Sequence, residues 1–252
     1  MSEPNTISTM IDARLKPLYD LFSANPELAD WIRQLALAAV NELDETILTQ
    51  PDGARHLTEK AISCHEANFE AVLNQIKKLD PSYSIACQKG CAHCCNPFIV
   101  TLPHEALNIA DYVAENFTQA QRKKLLACGK EQDALIQKDS IQVAAANHNS
   151  PCPFLKDNAC SIYEVRPLTC RNWISQNAEL CRIAMESTPP KEVPNNIILM
   201  QQVTIIFAAH KTFLELQNMP TEAVPLLATL PSLLEDLEQS HADWLNGTLL
   251  YS

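Results

Sequence analysis

Glycine is scarce in this sequence: the 252 residues include only four, whereas an average usage of roughly 7% would supply about 18. The four lie far apart, at Gly53, Gly90, Gly129 and Gly247. A phosphate-binding loop, a dinucleotide-binding fingerprint and a nucleophile elbow each require at least two glycines within about seven residues. The sequence therefore excludes these three motifs as the basis of its chemistry.

Positive charge is scarce as well. The chain has 19 Lys and Arg against 30 Asp and Glu, which gives a net charge of −11, and its pI is near 5.0. This balance argues against broad electrostatic binding to nucleic acid or to an anionic membrane surface. The first residues also lack the basic and apolar segments of a secretory signal. We therefore expect a cytoplasmic protein that has neither nucleic acid nor a membrane as a partner.

Long uncharged runs are rare, and the longest spans residues 193–210. Four polar side chains interrupt it, at Asn195, Asn196, Gln201 and Gln202. A membrane-spanning helix needs about 20 predominantly apolar residues. Because this run is shorter and carries amides, we predict a buried helix rather than a membrane span.

Helical periodicity dominates the first eighty residues. Asn25 is a good N-cap residue and is followed by Pro26, which favours the first helical position. Apolar residues then recur at steps of three and four along residues 28–47, and again along residues 62–79. This spacing places them on one face of a helix. We therefore predict amphipathic helices in this part of the chain.

The middle of the chain has fewer regular signals. Thr118 and Gln121 have the spacing of a capping box and predict the start of another helix. Residues 98–102 are the only stretch that suggests a short strand, and residues 145–160 are rich in Asn and Pro and predict a loop. Strand patterns are otherwise nearly absent, so the predicted fold class is mainly α.

We expect a helical, bundle-like domain in which a loop-rich cysteine-cluster metal site is inserted between N-terminal and C-terminal helices. The predicted divisions are N-terminal helices at 1–82, a cysteine-cluster metal-binding region at 83–182 and C-terminal helices at 183–252. Hydrophobic residues make up 46% of the sequence, enough for a shared core. The three parts are therefore expected to form one compact unit.

Cysteine, by contrast, is abundant, with ten residues. Because cytoplasmic thiols are normally kept reduced, metal binding or redox chemistry explains this number better than a disulfide scaffold. Residues 87–95 have the pattern C-x3-C-x2-C-C, and Gly90 within it permits a tight backbone that lets several thiols converge. A second set follows between residues 152 and 181. The candidate metal ligands are Cys87, Cys91, Cys94, Cys95, Cys152, Cys160, Cys170 and Cys181.

Eight thiols allow more than one kind of metal centre. Thiolates select zinc, copper(I) or iron, and both a tetrahedral zinc ion and an iron–sulfur cluster require about four cysteines. The set therefore fits two mononuclear sites, or one cluster with spare thiols in redox or supporting roles. Neighbouring side chains rarely reach one tetrahedral ion without strain. We expect Cys94 and Cys95 to face different centres, or one of them to support the other.

Basic and polar residues near these cysteines are candidates for supporting a bound cofactor. Lys89, His93, Arg166 and Arg171 could offset thiolate charge through hydrogen bonds. His93 lies between two candidate ligands and could itself bind the metal. Tyr163 and Arg166 are expected to brace the ligand loops.

Two cysteines and two histidines lie within predicted helices. Cys64 and Cys128 are expected to be buried structural thiols, because free cysteine behaves as a small hydrophobe. His65 and His210 lie on apolar stretches and are expected to be hydrogen-bonded core residues. If either faces the metal centre, it becomes the first candidate for an acid or base.

Three segments carry a resemblance to a known family: residues 87–95, 101–106 and 152–171. They resemble the cysteine-cluster proteins of the YkgJ type, a family described as a zinc- or iron-chelating domain. The resemblance covers residues 85–182, and its most specific element is Arg166-Pro167 followed by Cys170-Arg171. It implies that the chain binds zinc or iron. Flagellin lysine N-methylases carry a similar cluster, which would imply an iron–sulfur centre and methyl transfer, but no further motif of those enzymes is present.

Three functions remain open from the sequence. The first is a metal-binding module with a structural or sensory centre that serves an unidentified protein partner or substrate. The second is an iron–sulfur metalloenzyme with redox or group-transfer activity, such as a methylase-like activity. The third is metal storage or delivery.

An enzyme should have an open pocket at the cysteines that is lined by His65, His210 or other polar groups, whereas a structural module should enclose its metal. No Ser-His-Asp, paired-carboxylate or H-E-x-x-H motif indicates a hydrolase.

Overall fold

The computed structural model describes residues 4–88, 90–95, 98–146, 150–187, 193 and 195–251. Within these residues it contains eleven α-helices, one 3₁₀ helix and four strands of two residues each, which confirms the mainly-α prediction. The α-helices are α1 (Pro4–Leu21), α2 (Pro26–Asn41), α3 (Gly53–Leu79), α4 (Pro103–Asn116), α5 (Gln119–Lys138), α6 (Ile141–Ala146), α7 (Leu168–Arg171), α8 (Ala178–Glu186), α9 (Ile197–Leu216), α10 (Leu226–Glu235) and α11 (Leu237–Leu245). The strands are β1 (Val100–Thr101), β2 (Leu155–Lys156), β3 (Ala159–Cys160) and β4 (Val224–Pro225), and the 3₁₀ helix is Glu45–Thr49.

Helices α1, α2 and α9 pack against one another and are called the helical frame below. Helix α2 begins as the sequence predicts, with Pro26 at its first turn and the Asn25 side chain accepting a hydrogen bond from the Leu28 amide at 3.1 Å. The frame encloses an apolar core to which all three helices contribute. Its fully buried members are Ile11, Leu15, Ile32, Ala36, Ile205 and Ala209.

Helix α9 contains most of the long uncharged run. By length and composition it could cross a membrane, but 61% of its most apolar window is buried within the protein. It packs against α1, α2 and α3, and its Leu199, Ile205, Ile206 and Leu214 are almost completely buried. The predicted buried helix is therefore present at this position.

A second layer forms around α4, α5 and α10, and α3 joins the layers because it packs against both α4 and α9. The predicted capping box opens α5: Thr118 N–H donates to Gln121 Oε1 at 2.9 Å, and Gln121 N–H donates to Thr118 Oγ1 at 3.3 Å. Gly129 lets α5 and α10 approach closely. A Cβ atom at this position would lie 2.3 Å from the Leu227 carbonyl oxygen.

Two short antiparallel pairs connect distant parts of the chain. Strand β1 pairs with β4, with Val100 opposite Pro225, so the predicted strand at 98–102 is reduced to two residues. Strands β2 and β3 form a hairpin within 145–160, where a loop was predicted. Its two turn residues, Asp157 and Asn158, have φ values of 50° and 60°. Asp and Asn tolerate this left-handed conformation, which two-residue hairpin turns require.

Residues 85–187, called the cysteine region below, include α4 and α5 of the second layer, and the segments that carry the clustered cysteines lie before and after these two helices. Leu168 at the start of α7 is fully buried and packs in one cluster with Ala61 of α3 and Ile206 of α9. Phe154 and Ile162 pack into the largest core cluster, which includes residues of α4, α10 and α11. The helices thus anchor the segments that carry the cysteines.

Candidate metal centre

The first cysteine segment folds as a series of turns. The Cys91 amide donates to the Gln88 carbonyl at 3.0 Å, and the Cys95 amide donates to the Ala92 carbonyl at 3.0 Å. Gly90 has a φ of +95°, a conformation that L side chains rarely adopt. The glycine is therefore needed for the backbone turn that brings these thiols together.

Backbone hydrogen bonds join this segment to later parts of the cysteine region. The Cys152 amide donates to the Cys95 carbonyl at 2.8 Å, and the Ala86 amide donates to the Ser175 carbonyl at 2.8 Å. The Ser175 amide in turn donates to Cys87 Sγ at 3.2 Å. The two cysteine sets of the sequence are thus brought together in space.

Glu105 positions the segment that carries Cys170. Its side chain is completely buried, with Oε2 accepting from the Leu102 amide at 3.0 Å and Oε1 accepting from the Leu168 amide at 2.8 Å. One carboxylate therefore links the start of α4 to the start of α7. Burial raises the pKa of Glu105 to about 7.

The importance of Glu105 was missed in the sequence analysis. Its position three residues after Leu102, with Pro103 between them, is the second half of a capping box. The first half usually requires Ser or Thr, and Leu102 offers no side-chain acceptor. A search for Glu three residues after a possible helix start would have found it.

Seven of the eight candidate ligands line a single cavity of about 470 Å³. They are Cys87, Cys91, Cys94, Cys95, Cys152, Cys160 and Cys170. The eighth, Cys181, lies inside α8 rather than beside a loop and does not line the cavity. Burial is the main cause that raises the pKa of Cys87, and the charge of Cys181 adds to it.

The charges that shift the thiol pKa values divide the eight thiols into two groups that overlap at Cys94 and Cys95, which interact most strongly with each other. Cys87 interacts with Cys91 and Cys181, and Cys94 interacts with Cys87 and Cys91. Cys95 instead interacts with Cys152, Cys160 and Cys170. The outer group is Cys87, Cys91, Cys94 and Cys181, and the inner group is Cys95, Cys152, Cys160 and Cys170.

Packing distinguishes the two groups as well. Cys152, Cys160 and Cys170 of the inner group pack against the largest core cluster. Cys87 of the outer group instead lies beside the backbone of residues 173–175, where its thiol faces the Trp173 and Ser175 carbonyls at 3.9 and 3.8 Å. The adjacent Cys94 and Cys95 meet where the groups touch and are hydrogen-bonded to each other.

The thiols differ in acidity because their surroundings differ. Burial raises the pKa of Cys152 to about 12 and also raises the pKa values of Cys87, Cys160 and Cys170. The hydrogen bond from Cys94 lowers the pKa of Cys95 to about 7 and raises that of Cys94. A bound metal cation would reverse the effect of burial, because metal-ligating thiols are deprotonated.

A buried histidine shares the cavity with the thiols. His65 on α3 is 5% exposed and lines the cavity, and neither of its ring nitrogens has a hydrogen-bond partner. Burial, followed by the charges of Arg171 and Arg166, lowers its pKa to about 4, so the imidazole is neutral. His65 was expected to be a hydrogen-bonded core residue, but the structure places it at the candidate site with both nitrogens free.

The two predicted arginines have different surroundings. Arg171 is buried, and its guanidinium donates to Glu66 Oε1 at 2.9 Å, to the Glu164 carbonyl at 2.8 Å and to the Arg166 carbonyl at 3.0 Å. It therefore holds the backbone that precedes α7. The Arg166 guanidinium instead lies over the Tyr163 ring, 4.3 Å from its centroid, and both side chains line the cavity.

The described residues His93, His210, Cys64 and Cys128 do not line the cavity. His93 is exposed, and Lys89 lies outside the described residues. His210 is buried and its ring lies 5.2 Å from that of His104 in the helical core. Cys64 and Cys128 lie within α3 and α5 as predicted, and both are half-buried.

The donor set of the cavity fits zinc or iron, because it consists of soft thiols in a number that exceeds one tetrahedral site. Among the residues that the structure describes, no three Cys, His, Asp or Glu side chains are already arranged to hold an ion. Binding would therefore draw the thiols closer together.

Comparison with known proteins agrees with this donor chemistry. Residues 86–188 match the CxxCxxCC family, whose description is a putative zinc- or iron-chelating domain. The match covers all eight clustered cysteines and confirms the resemblance drawn from the sequence. No curated protein and no solved structure matches the chain. The cysteine region is therefore assigned as a zinc- or iron-chelating domain, and the helices before and after it lie outside the match.

Proposed function

We propose that this protein is an iron metalloprotein in which cysteine thiolates hold an iron–sulfur centre that works on a small molecule in the open cavity. The observation that carries the proposal is the cavity of about 470 Å³, which seven cysteines share with His65, Arg166 and Tyr163. The reaction class that fits is redox or group-transfer chemistry.

The lining of the cavity beyond the thiols favours a working centre over a structural one. Structural zinc sites are closed, with four protein ligands around the ion, whereas catalytic metal sites leave room for another molecule. The cavity extends past the seven cysteines to apolar and polar side chains that include Phe69, Trp173 and Arg166. It also holds His65, the polar group that the enzyme hypothesis required and a closed module does not need.

Four cysteines suit either a tetrahedral zinc ion or an iron–sulfur cluster, so the number of thiols does not decide between them, and the charge and hydrogen bonds around the sulfurs favour the cluster. The positive charge of Arg166 partly offsets the burial that raises the pKa of Cys160 and adds to the Cys94 hydrogen bond that lowers the pKa of Cys95. The Ser175 amide donates to Cys87 Sγ at 3.2 Å. Charge and hydrogen bonds to sulfur are the means by which proteins tune such clusters.

Anaerobic purification followed by elemental analysis, sulfide determination, optical spectroscopy and electron paramagnetic resonance tests this proposal. We expect a brown protein that contains iron and acid-labile sulfide. A Cys64→Ser variant is the matched control, because Cys64 is a half-buried cysteine outside the cavity, and it should retain both. A colourless protein with stoichiometric zinc and no iron would contradict the iron–sulfur proposal.

A structural zinc site in the inner group is the second candidate. It is favoured by the packing of Cys152, Cys160 and Cys170 against the largest core cluster. In that case zinc should resist removal by a chelator in the folded protein and should leave only on unfolding. Storage or delivery would instead give rapid metal transfer to the same chelator.

A further inference from the structure

Two side chains that line the cavity, His65 and Arg166, have buried polar atoms without a hydrogen-bond partner. His65 is 5% exposed, and both Nδ1 and Nε2 are buried without a partner. A buried polar atom without a partner destabilises the folded state, and native proteins contain few of them. Because the ring borders the cavity, a molecule bound there could accept or donate the missing hydrogen bond.

Arg166 is the second such group. Its Nε is buried without a partner, and within the described parts of the chain its guanidinium forms no ion pair. The neighbouring Arg171 differs, because Glu66 and two backbone carbonyls occupy its donors. Tyr163 holds the Arg166 guanidinium from one face only and leaves its edge free for the paired hydrogen bonds that arginine makes to a carboxylate.

The remaining lining of the cavity is largely apolar. Phe69, Ile85, Ile174 and the half-exposed Trp173 border it. Beyond the seven thiols, the cavity of about 470 Å³ therefore offers apolar surface that a small organic molecule can contact. An inorganic anion would leave most of this apolar surface without a contact.

We propose that the cavity binds a small organic anion, with its carboxylate on Arg166 and His65 and its apolar body against Phe69 and Trp173. This inference rests on the proposed function in treating the cavity as the working site, and it names the class of the bound molecule. The neutral His65 ring donates one hydrogen bond to the carboxylate, and Arg166 supplies the charge.

Isothermal titration of the anaerobically purified protein with benzoate tests the inference, and benzamide serves as the neutral probe of the same shape. We expect benzoate to bind and benzamide to bind at least about tenfold more weakly, because it lacks the charge that Arg166 recognises. Inorganic phosphate should bind more weakly than benzoate because it has no apolar body. Equal binding of benzoate and benzamide, or no binding of benzoate, would overturn the inference.

Variants assign the interaction to its residues. Arg166→Gln should weaken benzoate binding by about 10- to 100-fold, and His65→Gln by about 2- to 10-fold. Arg182→Gln is the control, because Arg182 pairs with Glu179 and Glu186 on α8 outside the cavity. This variant should bind benzoate with the affinity of the wild type. Unchanged affinity in both Arg166→Gln and His65→Gln would also overturn the inference.

The metal content of each protein separates this inference from the proposed function. Zinc in place of iron with selective benzoate binding would contradict the proposed function and support the anion site. Iron and sulfide without benzoate binding would support the proposed function and contradict the anion site. If Arg166→Gln loses its metal or fails to fold, Arg166→Lys and His65→Gln carry the test, and wild-type affinity in both would contradict the site.

Discussion

The helical frame and the cysteine region are stabilised in different ways. In the frame, fully buried apolar side chains such as Ile11, Leu15 and Ile32 make the contacts between helices. In the cysteine-bearing segments before and after α4 and α5 the elements are short, and buried polar groups help to hold the backbone, chiefly Glu105 on the Leu102 and Leu168 amides. Frame stability therefore comes from burial of apolar surface, whereas the cysteine region depends on polar contacts and on the metal it binds.

This difference implies that the two regions respond to different perturbations. Removing metal should loosen the cysteine region and leave the contacts between frame helices in place. Loss of apolar volume in the frame should destabilise the protein whether or not metal is bound. The following variants test that separation, from the largest expected effect to the smallest.

The largest effect is expected from Cys170→Ser in the inner group. Because metal binding energy is also folding energy, amounting to about 10–16 kcal/mol in small zinc domains, the variant should lose metal and melt at a lower temperature. Elemental analysis and thermal unfolding of anaerobic samples measure both. Cys64→Ser is the control and should retain its metal. Equal metal content in the two variants would mean that Cys170 is not a ligand.

A smaller effect is expected from Leu15→Ala in the frame. Leu15 is fully buried, and such truncations cost about 2–5 kcal/mol. Chemical denaturation should show the same loss with and without metal, and metal content should stay constant. Leu79→Ala is the matched control, because Leu79 is 90% exposed and should change stability by less than about 0.5 kcal/mol. A loss seen only in the metal-bound form would contradict the separation of the two regions.

Glu105→Gln should lower both stability and metal affinity, because Glu105 links α4 to the segment that carries Cys170. Its two oxygens each accept a backbone hydrogen bond, and the amide can accept only one, so we expect a loss of about 1–3 kcal/mol. Metal affinity should fall as well, since α7 carries Cys170. Denaturation and competition with a chelator measure the two effects. Reduced stability with wild-type metal affinity would show that Glu105 does not position the site.

The smallest effect concerns how the stability that His210 contributes in α9 of the helical frame depends on pH. Burial lowers the pKa of His210 to about 4, compared with a usual value of 6.5. Between these values the unfolded chain binds more protons, so the stability that His210 contributes is present above pH 6.5 and is lost as the pH falls towards 4. His210→Gln should therefore lose less stability on acidification than the wild type. Thermal unfolding from pH 7 to pH 5 measures the slopes, and identical slopes would exclude this role.

Local features of the fold were predictable because they depend on neighbouring residues. The Asn25 cap of α2 and the Thr118–Gln121 box of α5 follow from the hydrogen-bonding capacity of adjacent side chains. The hairpin at residues 155–160 was missed because its turn signal, Asp157-Asn158, lies among other loop-forming residues. The position of Cys181 within α8 was also missed.

In the candidate site, too, local sequence predicted some features and not others. His65 and His210 both lie on apolar helical stretches, and nothing in their local sequence distinguishes them. In the structure His65 borders the thiol cavity, whereas His210 lies beside His104 in the core. Helix packing decides which face of a helix contacts a distant segment, and a local sequence pattern does not predict it.

The sequence by itself determined the helical class and the chemistry of the site, because helical periodicity and the density of thiols are properties of composition and spacing. Only the tertiary structure decided that seven cysteines share one cavity with His65 and Arg166. These contacts join residues far apart in the chain. They exist because buried groups such as Glu105 and Leu168 fix the cysteine region on the helices.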